Sequence, residues 1–228
     1  ANTIVGSGAT LEINGTSAAL TIPEAITIYG TGLSNTGAIR LLSGAQAATL
    51  SGTIIVASAS RINTDITTGT STLTLSGNIS NDAGLTFGTT GTGNIAVSGI
   101  ISGSDPSNSN IYKDGSSGKL ILSGANTYAG TTSVTAGVIQ IANNDALGTL
   151  SGSQGTLVGT GAAIEINGAG ALSIPESFTL NGTGLTNLGA IRLVGTSSAA
   201  TLTGGITAQT ASRINTDATS GTSTLTIS

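Results

Sequence analysis

Short segments in which aliphatic and polar residues alternate recur along the whole chain, separated by Gly, Asn, Ser and Asp. Ala38-Ile-Arg-Leu41, Asn94-Ile-Ala-Val97 and Lys119-Leu-Ile-Leu122 are typical examples. Alternation with a period of two, in segments rich in β-branched residues and bounded by turn formers, predicts short β-strands. Strands this short, spaced by roughly 10–20 residues, fit either a β-sandwich or a β-solenoid.

A long internal repeat decides between these two folds. Leu20-Thr-Ile-Pro-Glu24 returns as Leu172-Ser-Ile-Pro-Glu176, at an offset of 152 residues (172 − 20). At this offset more than half of the positions in 18–76 are identical to those in 170–228. Stacked turns tolerate such duplication because each turn contacts only its neighbours. We therefore predict an all-β fold, a right-handed parallel β-helix (β-solenoid).

The repeat also predicts how the chain is organised. We interpret residues 1–228 as one β-solenoid segment of a longer protein, in which 1–76 and 154–228 are copies of the same half-repeat. Residues 77–153 are the other half of the unit. With turns of about 20 residues and a rise of about 4.8 Å, roughly eleven turns would span on the order of 50 Å. Gly and Asn are expected at the corners, where sharp turns need positive φ.

The composition favours an ordered chain and excludes several classes of partner. Charged residues make up 7% of the 228 residues and hydrophobic residues 38%, whereas disorder needs low hydrophobicity and high net charge. The net charge of −4 comes from scattered acids and bases, with five aromatic residues and no basic run, so nucleic acid is not an expected partner. Apolar runs such as 53–57 are far too short to span a membrane.

The stretch 118–148 has a pattern of its own. It begins Gly118-Lys-Leu-Ile-Leu-Ser-Gly-Ala-Asn-Thr-Tyr-Ala-Gly130 and ends Asn143-Asn-Asp-Ala-Leu-Gly148. This order of elements resembles the autotransporter passenger-associated strand repeat. The resemblance implies a β-helix passenger, outside the cell or attached to the outer membrane of a Gram-negative-type bacterium. The residues that match the motif and are expected to be structural are Gly124, Asn126, Tyr128, Gly130, Gly137, Asn144 and Leu147.

Within this motif, Gly124 and Gly130 are expected to bracket a corner. Asn126 can bond its own backbone there, and Tyr128 is expected to cover the corner as a lone aromatic. The next turn is expected around Asn144, after which Leu147 would return to the core.

Catalytic chemistry has little support in the sequence. Arg61-Ile-Asn-Thr-Asp65, repeated at 213–217, contains the Asn-Thr-Asp triplet of polygalacturonases, but the chain has neither the paired Asp nor the His that those enzymes need. Without His or Cys, nucleophilic triads and transition-metal sites are excluded, and a carboxylate pair across turns stays open. We predict no catalytic residue, no cofactor and no metal site. We interpret the triplet as a corner at which Arg61 pairs with a carboxylate.

One polar segment breaks the rhythm of the strands. Residues 102–118 contain a proline and several Ser, Asn and Asp residues, and predict a loop that protrudes from the solenoid. If this chain binds a partner selectively, the candidate residues in that loop are Asp105, Asn108, Tyr112 and Lys113.

Taken together, these features favour a structural extracellular segment of a large repetitive bacterial surface protein, of the passenger stalk or adhesin type. The alternative is a self-assembling fibre, sheath or matrix protein. A polysaccharide-acting β-helix enzyme and an ice-binding protein are less favoured. The expected partner is a further copy of the protein, or a polysaccharide or protein of the cell surface or matrix, without insertion of this segment into a membrane.

Overall fold

The computed structural model describes residues 2–15, 18–149, 155–168, 170–196 and 199–228. Within these ranges the chain forms 26 β-strands and two single 3-10 turns, Leu33–Asn35 and Leu185–Asn187. All pairings between the described strands are parallel. The prediction of an all-β parallel solenoid is confirmed.

Successive strands visit three faces of the solenoid in a fixed order, and their numbers follow the chain. Face 1 contains β1 Asn2–Val5, β4 Ala25–Ile28, β7 Ile54–Val56, β10 Ile79–Asn81, β13 Ile101–Ser102, β20 Leu172–Ile174, β23 Ala199–Leu202 and β26 Thr224–Ile227. Face 2 contains β2 Leu11–Ile13, β5 Ile39–Leu41, β8 Ser60–Thr64, β11 Leu85–Thr89, β14 Ile111–Asp114, β16 Thr132–Val134, β18 Thr156–Val158, β21 Phe178–Leu180 and β24 Ile206–Ala208. Face 3 contains β3 Leu20–Ile22, β6 Ala48–Leu50, β9 Thr72–Leu75, β12 Asn94–Val97, β15 Lys119–Leu122, β17 Gly137–Ile141, β19 Ala162–Ile166, β22 Ile191–Thr196 and β25 Ile214–Ser220.

Face 1 is built of two sheets, separated by two irregular passages. The first passage, residues 125–130, lies over β13. The backbone N–H of Thr127 donates to the carbonyl of Ile101 at 2.8 Å, and that of Ala129 donates to the carbonyl of Gly103 at 2.9 Å. This segment therefore continues the stack on face 1 without forming a strand.

The second passage, residues 143–149, lies over the first. The backbone N–H of Thr149 donates to the carbonyl of Tyr128 at 3.0 Å. The stack then continues into β20, where the backbone N–H of Ser173 donates to the side-chain oxygen of Asn144 at 2.9 Å. Because both passages occupy the position of a strand, face 1 is continuous from β1 to β26.

The solenoid has nine turns, as the nine strands on each of faces 2 and 3 show. Residues paired between adjacent turns are 19 (138 − 119) to 28 (39 − 11) positions apart. The expectation of about eleven shorter turns is wrong, because the corners between strands take up more of the chain than expected. Nine turns at about 4.8 Å make a stack of roughly 40 Å.

Aliphatic side chains fill the interior in columns that run from turn to turn. On face 3, residues in register follow one another at the same inward position, each at most 1% exposed. These residues are Leu50, Leu75, Val97, Leu122, Ile141, Ile166 and Leu193. Full burial of such a side chain contributes about 1.5–3 kcal/mol to folding, so the columns supply most of the driving force for stacking.

A column of glycines marks the corner between faces 3 and 1. Gly52, Gly77, Gly99 and Gly124 follow the face 3 strands of successive turns, and none of them has a positive φ. A Cβ added to Gly77 would lie 2.0 Å from the carbonyl oxygen of Gly52, and one added to Gly99 would lie 2.1 Å from that of Gly77. For this column the expectation of positive φ is wrong. Glycine is required because adjacent turns approach closely.

Candidate functional site

A groove of about 630 Å3 crosses face 2 beside β5 and β8. Its lining combines hydroxyl, amide, guanidinium and carboxylate groups, most of them on side chains that point outward from the sheet. The lining residues are Asn35, Thr36, Arg40, Leu42, Ser43, Arg61, Asn63, Asp65, Thr67 and Thr90.

Arg40 is the centre of the charge network in this groove. Its Nη1 donates to Glu12 on the preceding turn at 3.0 Å, and its Nε donates to Asp65 on the following turn. The amide nitrogen of Asn63 also donates to Asp65. Parallel register makes this possible, because Glu12, Arg40 and Asn63 occupy the same position on three successive strands.

Arg61, the second arginine of the groove, pairs with Asp114 two turns further along face 2. Both of its terminal nitrogens donate to that carboxylate at 2.7 Å. The prediction that Arg61 pairs with a carboxylate is confirmed. The prediction of a corner is wrong, since Ser60–Thr64 is strand β8, a continuation of the stack. Every charged side chain that lines the groove therefore has a partner of opposite charge.

The second copy of the repeat forms the same network on another face. Arg192 donates from Nε to Asp217 at 2.8 Å and pairs through Nη1 with Glu165 at 3.3 Å. Glu165 also accepts hydrogen bonds from Lys119 at 2.6 Å and from the side chain of Gln140 at 3.0 Å. Its side chain is 4% exposed, against 50% for the equivalent Glu12. The sequence did not indicate Lys119 or Gln140 here, because only the register of β15, β17 and β19 brings them to Glu165.

The predicted binding loop is shorter than expected. Residues 103–110 connect β13 to β14, and Ile111–Asp114 is a strand of face 2. Asp105 accepts a hydrogen bond from the side chain of Asn108 at 2.6 Å and one from the backbone N–H of Ser107 at 2.8 Å. These bonds lower the pKa of the Asp105 carboxyl. The loop is therefore held together by its own side chains.

Two of the four predicted loop residues meet at a small hollow. Tyr112 lies on β14 and is 40% exposed, and Asn108 faces it from the loop. The hollow has a volume of about 230 Å3. The residues that line it are Thr31, Ala59, Ser60, Ala83, Gly84, Thr86, Ser107, Asn108, Asn110 and Tyr112.

Lys113 is not available to a partner, and its prediction as a binding residue is wrong. It is fully buried, and its Nζ donates to Thr89 Oγ1 at 2.9 Å and to the carbonyls of Asp114 and Gly115 at 2.6 and 2.8 Å. Burial lowers the pKa of its amine to about 8. Because side chains alternate along β14, the exposure of Tyr112 turns Lys113 inward.

Asn126 ties three turns together from the first passage. Its side-chain oxygen accepts the backbone N–H of Ile101 at 2.8 Å, and its side-chain nitrogen donates to the carbonyl of Ala146 at 2.6 Å. The expectation that Asn126 bonds its own backbone is wrong, because both partners lie in the adjacent turns. The side chain adds two hydrogen bonds to the backbone bonds that hold the first passage in the stack on face 1.

Tyr128 lies inside the solenoid instead of covering a corner. It is fully buried, and its hydroxyl is 2.6 Å from Thr132 Oγ1. Thr132 is the register partner of Thr156, which donates to the carboxylate of Glu176 at 2.7 Å. Burial raises the pKa of Glu176 to about 7. Sequence reasoning missed this buried acid, since its local sequence closely resembles that of the less buried Glu24.

The other motif residues have diverse surroundings. A Cβ on Gly124 or Gly130 would lie 2.4 Å from backbone of the preceding turn. Gly137 has a φ of 74° and leaves room for the Lys113 amine. Leu147, 5% exposed, belongs to the core.

Comparison with known families gives a match in this part of the chain. The model of the passenger-associated-transport-repeat family matches residues 112–141, or 30 of the 228 residues (141 − 112 + 1). The chain carries an autotransporter passenger repeat. The repeat runs from β14 through the first passage to β17, so it forms part of the stack itself. It indicates a secreted or surface location. No curated protein and no solved structure gives a significant match to the chain.

The described ranges contain neither a cluster of metal-binding side chains nor a membrane-spanning helix. Among those residues, no three or more Asp and Glu side chains come together as a group that could hold a metal ion. Nor does the part of the chain described here contain a helix long and apolar enough to cross a membrane.

Proposed function

We propose that this chain is a rigid structural segment of the passenger of a surface protein, carried outside the outer membrane of a Gram-negative-type bacterium. The observation that supports it most is the position of the passenger repeat within the solenoid. Its strands β14 to β17 pair with those of the turns before and after it. A stack of this kind can be lengthened by duplication without a change in its cross-section, as a stalk requires.

The charge networks on faces 2 and 3 also support a structural role. Arg40 and Arg192 each bridge two carboxylates from neighbouring turns, and so join three turns on the outer surface. In each network every charged side chain has a partner of opposite charge. Neither presents the free acid and base that catalysis on a polysaccharide would need.

Surface display tests the proposal directly. The chain would be placed between a signal peptide and an outer-membrane β-barrel translocator, with an epitope at its N-terminal end, in a Gram-negative host. We expect the epitope on the surface of intact cells and a solenoid that resists added protease. A matched control replaces Leu122 with Asp, which places a charge in the core column and should make the displayed chain sensitive to protease. Retention inside the cell, or equal sensitivity of both chains, would contradict the proposal.

For contact with a partner, we propose the hollow beside Tyr112 as the first surface to examine. An exposed aromatic ring next to amide and hydroxyl groups suits a polysaccharide or a protein of the cell surface. Binding of the purified chain to surface polysaccharide would be compared between the wild type and Y112A, with Y29A as a control at a similarly exposed tyrosine. Loss of binding in Y112A alone is expected. Equal binding by both variants would remove the hollow as a candidate.

A further inference from the structure

The two copies of the repeat occupy different faces of the solenoid. Strand β1 lies on face 1, whereas its sequence equivalent β18 lies on face 2. In the same way β5 of face 2 corresponds to β22 of face 3, and β9 of face 3 corresponds to β26 of face 1. Each strand of the second copy is therefore one face further round than its equivalent.

The path between the copies accounts for this shift. The chain crosses face 1 at β1, β4, β7, β10 and β13, then at the two passages 125–130 and 143–149. It next reaches face 2 as β18, which pairs with β16 below and β21 above. From β1 to β18 the chain thus completes six turns and one additional face.

We infer that one full repeat unit advances the solenoid by six and one third turns, so that successive units present the same outer surface on successive faces. Three units would complete nineteen turns (3 × 6⅓) and return the surface to its first face. A unit of six whole turns would instead place every copy of a surface in one row along one side.

The charge networks show one step of this rotation. The network of Arg40 faces outward on face 2, and the equivalent network of Arg192 faces outward on face 3. A partner that recognises this surface on one unit would therefore find the same surface on a different face of the next unit. Three tandem units would therefore offer such a partner one site on each of the three faces.

Disulfide cross-linking can test the shift in the chain as it exists, because the chain has no cysteine of its own. Ser133 and Leu157 are register partners on adjacent strands of face 2, with outward side chains. Parallel neighbours about 4.8 Å apart lie within the Cα separation that a disulfide tolerates. We expect S133C/L157C to form an intramolecular disulfide, seen as a faster band in non-reducing electrophoresis.

A second pair tests the competing arrangement. In a unit of whole turns, β18 would lie on face 1 over the first passage, and T127C/L157C would cross-link instead. The positive control is I55C/S80C, which joins register partners β7 and β10 within one copy in either arrangement. Cross-linking of T127C/L157C overturns the inference. So does failure of S133C/L157C when the control pair cross-links in a chain with an unchanged circular dichroism spectrum.

Discussion

At the scale of single residues, the close approach between turns is the most stringent constraint in the molecule. Gly99 illustrates it, because a methyl group there would overlap the backbone of Gly77 in the turn below. We expect G99A to lower the free energy of unfolding by about 1–3 kcal/mol, since overpacking against backbone forces the turns apart. Urea denaturation followed by circular dichroism measures the free energy of unfolding.

The matched control for G99A is Gly6, which has no positive φ and would meet no atom within 4 Å of an added Cβ. G6A should leave the free energy of unfolding within about 0.5 kcal/mol of the wild type. If both substitutions have the same effect, close packing at the corner is not the reason for glycine.

Glu176 predicts a dependence of stability on pH. Its carboxyl has a pKa of about 7 in the folded chain, because burial disfavours the ionised form, against 4.5 when unfolded. The carboxyl therefore loses its proton at a lower pH in the unfolded chain than in the folded chain. As a result, the free energy of unfolding falls as pH rises from about 4.5 to 7. The total loss is on the order of 3 kcal/mol, with no further change above pH 7 from this group.

Replacing Glu176 with Gln should remove this pH dependence. Thermal unfolding between pH 4 and 8 would show a flatter profile for E176Q, with the larger gain in stability at pH 8. E24Q, at the equivalent position of the first copy, is the control and should retain the slope of the wild type. An E176Q profile parallel to that of the wild type would show that Glu176 is not the source of this pH dependence.

At the scale of elements, the Asn126 side chain links the first passage to the turns on either side, in addition to the backbone hydrogen bonds of Thr127 and Ala129. N126A would leave the backbone N–H of Ile101 and the carbonyl of Ala146 without their partner. Each unsatisfied buried group costs about 1–3 kcal/mol, so we expect a total loss of about 2–6 kcal/mol for the two groups in urea denaturation. N144A is the control, because the hydrogen bond that Asn144 accepts from the backbone N–H of Ser173 lies on the surface and should be worth about 1 kcal/mol or less. A loss in N126A no larger than in N144A would show that the passage is held by other contacts.

Local alternation was sufficient to predict many of the elements, and insufficient for those whose partners lie in other turns. Strands such as β12 and β15 are predicted because their aliphatic and polar residues alternate along the chain. β14 has a single aliphatic residue, Ile111, among polar neighbours, so its segment resembled a loop. The burial of Lys113 depends on room left by Gly137 one turn later, and no local pattern contains that information.

At the scale of the whole molecule, stability should vary along the axis. A turn in the middle has a neighbour on both sides, whereas the first and last turns of this chain each have one. We expect the slowest hydrogen exchange in the strands around β12 and β15, and the fastest in β1 and β26. Exchange followed by mass spectrometry resolves these segments. Uniform exchange along the chain would indicate that the solenoid opens as a single cooperative unit.

The duplication could be predicted from the sequence, but the number of turns between equivalent strands of the two copies could not. The offset between Leu20 and Leu172 counts positions along the chain, while the number of turns depends on how much of the chain each corner contains. Because the spacing between paired positions varies from 19 (138 − 119) to 28 (39 − 11), that offset is compatible with six turns or with six and a third. The pairings of the second copy, such as that of β18 with β16, distinguish the two.

The burial of Tyr128 provides a spectroscopic consequence. The chain has three tyrosines and no tryptophan, and Tyr29 and Tyr112 are each about two-fifths exposed. Burial raises the pKa of the Tyr128 hydroxyl, so its phenolate can form only when the solenoid opens around the first passage. Ultraviolet absorbance in an alkaline jump should therefore show a slow phase from Tyr128. The rate of this slow phase would report the rate of local opening around the first passage, without any added label.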